Sequence, residues 1–481
     1  MESSRKTLDA ALGAFDNGRY EEAAALCRTL AQAVPEDGQA LFLLGMSLYK
    51  AGLHDESIIW LSRAAAVQPG SARVFSGLGC AYEAAGDYRR ADECLAQAIK
   101  LNPLDADAHY NMGNVCHRMR QPEKAVSSYR QAVELNPADY ESWHNLGKTL
   151  KDLNRIDESV AAYDRALELR SDLVLTHCNR ALALLRAGRL EEGFREYEWR
   201  WRATLSLRGY PQPLWEGEAL PDQTLLVLAE QGFGDEIQFV RFVRQARERM
   251  GRVVLECRAQ LKTLFEHSGC ADAVVTYGDA PPSFDCYGSI MSLPRIFQTG
   301  LATIPGTPYL AAPSCEDLPL ASSATFKVGL VWAGNPRHHD DAARSMRLKD
   351  LDPILRTPGV VFYSVQMPVP SRDEAEVRSH PNIVDLSGRI KDFLDTAAVV
   401  GAMDLVIAVD TAVAHLAGAL GKPVWTCVQY SPDWRWLLDR PDTPWYPTMR
   451  LFRQPRRGEW RPVARQMAKE LRRLVSGQPR M

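Results

Sequence analysis

Residues 404–425, DLVIAVDTAVAHLAGALGKPVW, hold the densest group of side chains able to handle a phosphate. Leu405 to Val409 is a short, β-branched, apolar run of the kind that parallel sheets cover on both faces. Asp410 and Thr411 then offer N-cap oxygens, and Ala412 to Leu420 has a helix pattern closed by Gly421 and Pro423. A second apolar run, Val424 to Val428, completes a βαβ unit. Peptide N–H groups at the helix start, near Ala412 and Val413, can hold an anion that the helix dipole also favours. His415 stands on the first turn, able to donate a hydrogen bond to the same anion. Gly418 leaves room for a backbone or a nucleotide to approach. The competing explanation is an ordinary strand–helix turn with an internally satisfied histidine.

Two further loops carry candidate chemistry. Glu230-Gln231-Gly232-Phe233-Gly234-Asp235 follows an expected strand, Thr224 to Ala229, and precedes an expected helix from about Glu236 to Met250. Gly232 and Gly234 permit a tight turn, although the third glycine of a dinucleotide fingerprint is missing. A carboxylate at the carboxyl edge of a sheet can take a proton from a hydroxyl, which makes Asp235 the candidate base and Glu230 its substitute. Helix capping explains Asp235 equally simply. In the second loop, Lys327 to Trp332 reads as a strand ending in Gly334-Asn335, with Arg337 and Arg344 placed to hold a diphosphate through charge-assisted hydrogen bonds. Ser364 and Gln366, at the end of the strand from Gly359, are placed to touch a base or ribose. The run His338-His339-Asp340-Asp341 invites a metal, but adjacent side chains point apart and no ligand set accompanies them. Asp350 and Asp352 read as helix-start charges. No metal is expected.

The 410–423 segment resembles the donor-binding motif of heptosyltransferase-like glycosyltransferases, D-T-x-x-x-H-L-A-x-A-L-G-x-P, at Asp410, Thr411, His415, Leu416, Ala417, Ala419, Leu420, Gly421 and Pro423. The Gly234-Asp235 step is similar to the first-lobe loop of the same enzymes. The resemblance implies a two-lobed, Rossmann-like GT-B transferase that is inverting and metal-independent, with Asp235 and His415 catalytic. It also implies donor contacts from Gly334, Asn335, Arg344, Ser364, Gln366, Asp410, Thr411, Ala412 and Val413. Glu230, Gln231, Gly232 and Gly234 would form the acceptor loop. A nucleotide-diphosphate sugar is the implied co-substrate, with no other cofactor.

Upstream of these loops lies a repeat. Pro35, Pro69, Pro103 and Pro137 are spaced 34 residues apart, as are Gly45, Gly79, Gly113 and Gly147. Ala23, Ser57, Ala91, Ala125 and Ser159 keep the same register, as do Leu61, Leu95, Tyr129, Tyr163 and Tyr197. This is the period of tetratricopeptide repeats, two antiparallel helices per unit. About six units are expected, starting near Ser4, Gly38, Ala72, Ala106, Tyr140 and Val174. Stacked units make an α-superhelix with a concave face suited to an extended peptide. Asn111, Asn145 and Asn179 recur on that face, and such amides can pair with a peptide backbone. The arrangement looks like the asparagine ladder of protein O-GlcNAc transferases; asparagine is also common at this position in repeats generally.

The expected architecture is therefore α + α/β: a repeat array over 1–205, a first, acceptor-side lobe over 206–325, and a donor-side lobe with a crossover helix over 326–481. The chain of 481 residues has a formal charge of −3, which gives no pull toward nucleic acid or an anionic membrane surface. Ten scattered cysteines without a Cys-x-x-Cys read as reduced thiols of a cytoplasmic protein, and no apolar run is long enough for a membrane span. The expected partners are an acceptor protein in the repeat groove, with flagellin the candidate that the resemblance implies, and a nucleotide sugar. Two alternatives stand beside this one: a transferase acting on lipopolysaccharide or another glycan, and an interaction scaffold whose transferase fold is inactive. The sugar, the acceptor and the oligomeric state are not readable from the sequence.

Overall fold

A computed structural model describes residues 2–203, 209–314, 320, 325–338 and 340–477. It divides into two compact units, one ending at Asn179 and one beginning at Arg180. His339 and Cys315 lie outside the described residues.

The first unit is built from helix pairs: Glu2–Asp16 with Tyr20–Ala33, Gly38–Lys50 with His54–Val67, Ala72–Ala84 with Tyr88–Leu101, Ala106–Arg118 with Pro122–Leu135, and Tyr140–Asp152 with Ile156–Leu169. The recurring sequence positions have recurring tasks. Asp37, Asp105 and Asp139 cap first helices by accepting from backbone N–H groups. A Cβ on Gly45, Gly79, Gly113 or Gly147 would lie 2.5–2.8 Å from the side chain of Leu61, Leu95, Tyr129 or Tyr163, so only glycine lets the paired helices close. Ser57 and Ser159 donate to the carbonyls of Gly45 and Gly147 across the same contact, at 2.8 and 2.7 Å. Each first helix ends on a left-handed residue. Gly18, Gly52 and Gly86 fill that position, and Arg120 and Asn154 take it with φ of 58° and 60°.

The second unit contains two parallel sheets. Strands β1 (Leu220–Leu228), β2 (Met250–Cys257), β3 (Ala273–Thr276) and β4 (Cys286–Ser289) form one, in the order β3-β2-β1-β4. Strands β5 (Phe326–Val331), β6 (Val360–Ser364), β7 (Ile383–Asp385), β8 (Leu405–Val409), β9 (Val424–Val428) and β10 (Met449–Arg453) form the other, in the order β10-β9-β8-β5-β6-β7. The strand order reverses between β5 and β8, whose carboxyl ends lie side by side where Val331 pairs with Ala408. Ligands of open α/β sheets bind at such a switch point. Strands β4 and β10 have no counterpart in the sequence reading. The helix expected from Glu236 to Met250 is instead Phe233–Phe239, a short 3-10 turn and Val243–Arg247, with β2 starting at Met250.

One apolar core is shared by both sheets of this unit, from Leu225 and Val227 to Val331, Val406 and Ala408. Helix Leu190–Tyr197 belongs to that core: Phe194 meets the rings of Trp434 and Trp445 edge-on at 5.6 and 6.4 Å. Residues 180–203, assigned by sequence period to the end of the repeats, are thus compact with the sheets. Among the described residues no helix is long and apolar enough to cross a membrane.

Candidate functional site

The loop after β1 and the helix after β8 meet at Gly234. A Cβ there would lie 3.0 Å from Cδ2 of His415 and 3.7 Å from Cα of Ala412, so the two elements approach closely at a residue with no side chain. Helix Ala412–Ala419 starts from Thr411 in extended conformation, and no side chain caps it. The Thr411 hydroxyl donates instead to the Val409 carbonyl at 3.3 Å. Ala412 and Val413 are half-buried, whereas His415 is buried.

Three acids crowd the Glu230–Glu236 segment, and each meets its own arginine. Glu230 is gripped by Arg200 Nε and Nη2 at 2.8 and 3.0 Å and also accepts from Ser289. Glu236 is fully buried against Arg258. Asp235 accepts from the Gly232 N–H at 2.8 Å and pairs with Arg435, which lies in the β9–β10 connection. Its side chain keeps 18 % exposure, against 5 % for Glu230 and none for Glu236. Burial pushes the Asp235 carboxyl up from its ordinary value, with Arg435 and the Gly232 amide pulling the other way. Glu230 is thus spent on a buried ion pair, which removes it as a substitute base. Gln231 holds a left-handed φ of 65°, fixed by its hydrogen bond to the Tyr197 hydroxyl at 2.6 Å and by Arg258 on its carbonyl.

His415 shares a hydrogen bond between Nδ1 and the Tyr446 hydroxyl at 2.9 Å, and its ring stacks on Trp436 with centroids 5.2 Å apart. Its Nε2 stands 4.0 Å from Asp410 Oδ1. Burial, reinforced by the positive charge of Arg435, pushes the imidazole down to about 3, so it is neutral at ordinary pH and can donate from one nitrogen only. Burial and the charge of Asp433 push Asp410 up to about 6. Asp433 is itself held low, because Arg435 outweighs the cost of its burial. The site is a set of closely balanced charges, not a purely cationic anion trap.

Across the switch point, Arg344 Nη1 donates to the Asp410 carbonyl at 3.1 Å and Arg344 Nε lies 3.5 Å from Asp341. Gly334 lies close under it: a Cβ there would come within 2.6 Å of the side-chain ends of both Arg344 and Asp341. The Gly334 N–H donates to Ser345, and Asn335 Oδ1 accepts from the Arg337 N–H, shaping the turn. Ser364 and Gln366 need correcting as direct ligand contacts. Ser364 is fully buried, and Gln366 spends its amide on the N–H groups of Trp332 and Ala333 and the carbonyls of Ala333 and Pro368. Gln366 builds the Ala333–Gly334 turn from below. The sequence reading did not single out Arg435, whose partner lies 200 residues away.

In the first unit, Asn145 donates to Tyr110 and Asn114 at 3.2 and 3.3 Å, and Asn179 accepts from Lys151 at 2.9 Å. Asn111 is half-buried in the same register. The amides of Asn145 and Asn179 are thus tied to polar side chains of the neighbouring first helices. Nearby, His144 is pushed down to about 4 by burial and by Lys148 and Lys151.

Tetratricopeptide repeat models match residues 8–72, 77–140 and 128–161, and a TPR repeat model matches 147–188. The model for glycosyltransferase family 9 (heptosyltransferase) matches residues 365–445, a range that contains Asp410, His415 and Arg435. Protein FlbA of Caulobacter vibrioides is 28 % identical over 335 residues, 63 % of this chain and 55 % of the relative, so the chain spans about half the length of that curated relative. Among solved structures, MamA is 25 % identical with a TM-score of 0.32, covering 34 % of this chain and 94 % of its own. TTC0263, a thermophilic TPR protein in Thermus thermophilus, is 26 % identical with a TM-score of 0.32, covering 38 % and 99 %. The chain carries tetratricopeptide repeats followed by a glycosyltransferase family 9 domain.

Proposed function

We propose that this glycosyltransferase with a repeat module moves a sugar from a nucleotide-diphosphate donor to a protein hydroxyl, by one inverting, metal-independent displacement on a GT-B scaffold. Asp235 takes the acceptor's proton as the acceptor oxygen bonds to the anomeric carbon. The bond from that carbon to the diphosphate oxygen breaks, and the diphosphate leaves with the electron pair. The amides of Ala412 and Val413, Arg344 and neutral His415 stabilise the charge that develops on it. Gly334 and Asn335 shape the neighbouring turn, and Thr411 starts the helix. Asp410, a carboxyl with a raised pKa, fits a sugar or ribose hydroxyl better than it fits a phosphate. The observation that carries the reading is the contact of Gly234 with His415 and Ala412, which sets the loop bearing Asp235 against the helix start bearing the donor motif.

The repeats recruit the acceptor. Half-buried Asn111, Asn145 and Asn179 support a peptide-binding face, and flagellin is the acceptor class we would try first. A cytoplasmic location fits the described cysteines, among which no disulfide forms. The test is incubation with labelled nucleotide sugars and host lysate, comparing the intact chain with Asp235→Ala and His415→Ala. Label on a protein, lost in both variants, is expected. Transfer that survives both changes would remove these residues from the mechanism, and label confined to a glycan would replace the protein acceptor.

A further inference from the structure

The three acids on the Glu230–Glu236 segment differ in where their arginines come from. Arg200 and Arg258 lie on elements next to the first sheet, and they bury Glu230 and Glu236 almost completely. Arg435 comes from the β9–β10 connection of the second sheet, and its partner, Asp235, is the acid left part-exposed. All three nitrogens of the guanidinium donate a hydrogen bond. Nε donates to Gln238, three residues on from Asp235 in the same helix, and Nη1 donates to Asp433 at 2.9 Å. Nη2 donates to Asp235, and the plane lies over the Trp434 ring at 4.3 Å. The residue is 7 % exposed. A fork held at three corners and stacked on a ring has one orientation, and a carboxylate bonded to one of those corners inherits that orientation.

We propose that Arg435 is a positioning residue for Asp235, a fork on the second sheet's loop that sets the direction of a carboxylate on the helix that follows the first sheet's β1. The proposal rests on reading Asp235 as the base. Asp235 is then aligned only while the two sheets are seated against each other, because Gln238 and Asp433 anchor the fork on both sides.

The test uses full-length chain with Arg435→Met and Arg435→Lys, and a panel of UDP-, GDP-, dTDP- and ADP-linked sugars as donor. Methionine keeps apolar length over Trp434 but removes the charge that restrains Asp235. We expect kcat to fall at least about 100-fold in Arg435→Met, with KM for the donor changing less than about threefold. The acid limb of the pH–rate profile should move up by about one pH unit or more, because burial then acts on Asp235 unopposed. Lysine should restore part of the limb position but little of kcat. Melting temperatures of the wild type, Asp235→Asn, Arg435→Met and the double variant should be non-additive, showing that the two side chains act on each other. Transfer by Arg435→Met with an unmoved acid limb, or additive melting shifts, would overturn the positioning role and leave the transferase standing. No transfer by the wild type with any donor would sink both, and the melting cycle would then report a structural ion pair alone.

Discussion

In the repeat unit, polar side chains find partners close by in sequence and at fixed offsets. Ser57 and Ser159 each bond a carbonyl 12 residues back, and Arg28 and Arg130 each pair with a glutamate 28 residues on. In the sheet unit the decisive pairs are remote and unrepeated. Arg435 reaches Asp235 across 200 residues, and Arg241 reaches the Trp445 carbonyl across 204. A stacked repeat meets only its neighbours, so the same contact recurs and shows as a period. A site between parallel sheets is assembled from loops whose order in the chain carries no distance information.

The comparison can be broken or sharpened by experiment. Asp235→Asn should lower transfer by about 10²–10⁴-fold while the chain stays folded by circular dichroism, since only a remote, functional pair is lost. A loss under threefold would make the remote contacts structural only. Phe194→Ala should destabilise the sheet unit by about 3–5 kcal/mol in calorimetry, because its ring fills that unit's core. If only the transition of the repeat unit moved, residues 190–197 would belong with the repeats after all. Gly147→Ala, whose Cβ would sit 2.8 Å from the Tyr163 ring and 3.1 Å from the Ser159 carbonyl, should cost about 1–3 kcal/mol and leave donor binding unchanged.

Donor affinity should depend on pH through Asp410. Its carboxyl titrates at about 6 in the free chain, and a bound diphosphate would push it higher still. Binding therefore takes up a proton above that value. Affinity for a nucleotide sugar should rise up to about tenfold per unit as pH falls from 8 toward 6, then level off. Titration calorimetry with Asp410→Asn should show the slope gone, and a slope that persists would reassign the proton. Last, Arg120→Gly should stabilise the repeat unit by about 1 kcal/mol, because arginine holds a left-handed φ of 58° at a position where the first three units use glycine.

Much of the fold was readable before any coordinates. The helices starting at Gly38, Ala72, Ala106, Tyr140 and Val174 begin where the 34-residue register put them, and β8 and β9 span the runs Leu405–Val409 and Val424–Val428. The strand β4, CYGS, was missed because four residues without β-branched character carry no periodic signal. Of the candidate site residues singled out in the sequence, Gly234 packs against His415, which lies beside Asp410. Glu230 and Gln366 were misjudged because their partners, Arg200 and the Ala333 peptide, are neighbours only in space.

From the chain alone came the repeat register, the two apolar βαβ ends and the motif around His415, since each is set by local sterics and by spacing along the backbone. Only the packed tertiary structure decided which acid stays part-exposed, which arginine meets it, and that residues 180–203 are compact with the sheets. Those outcomes depend on burial and on electrostatics between distant segments, and both exist only once the sheets have closed on a shared core.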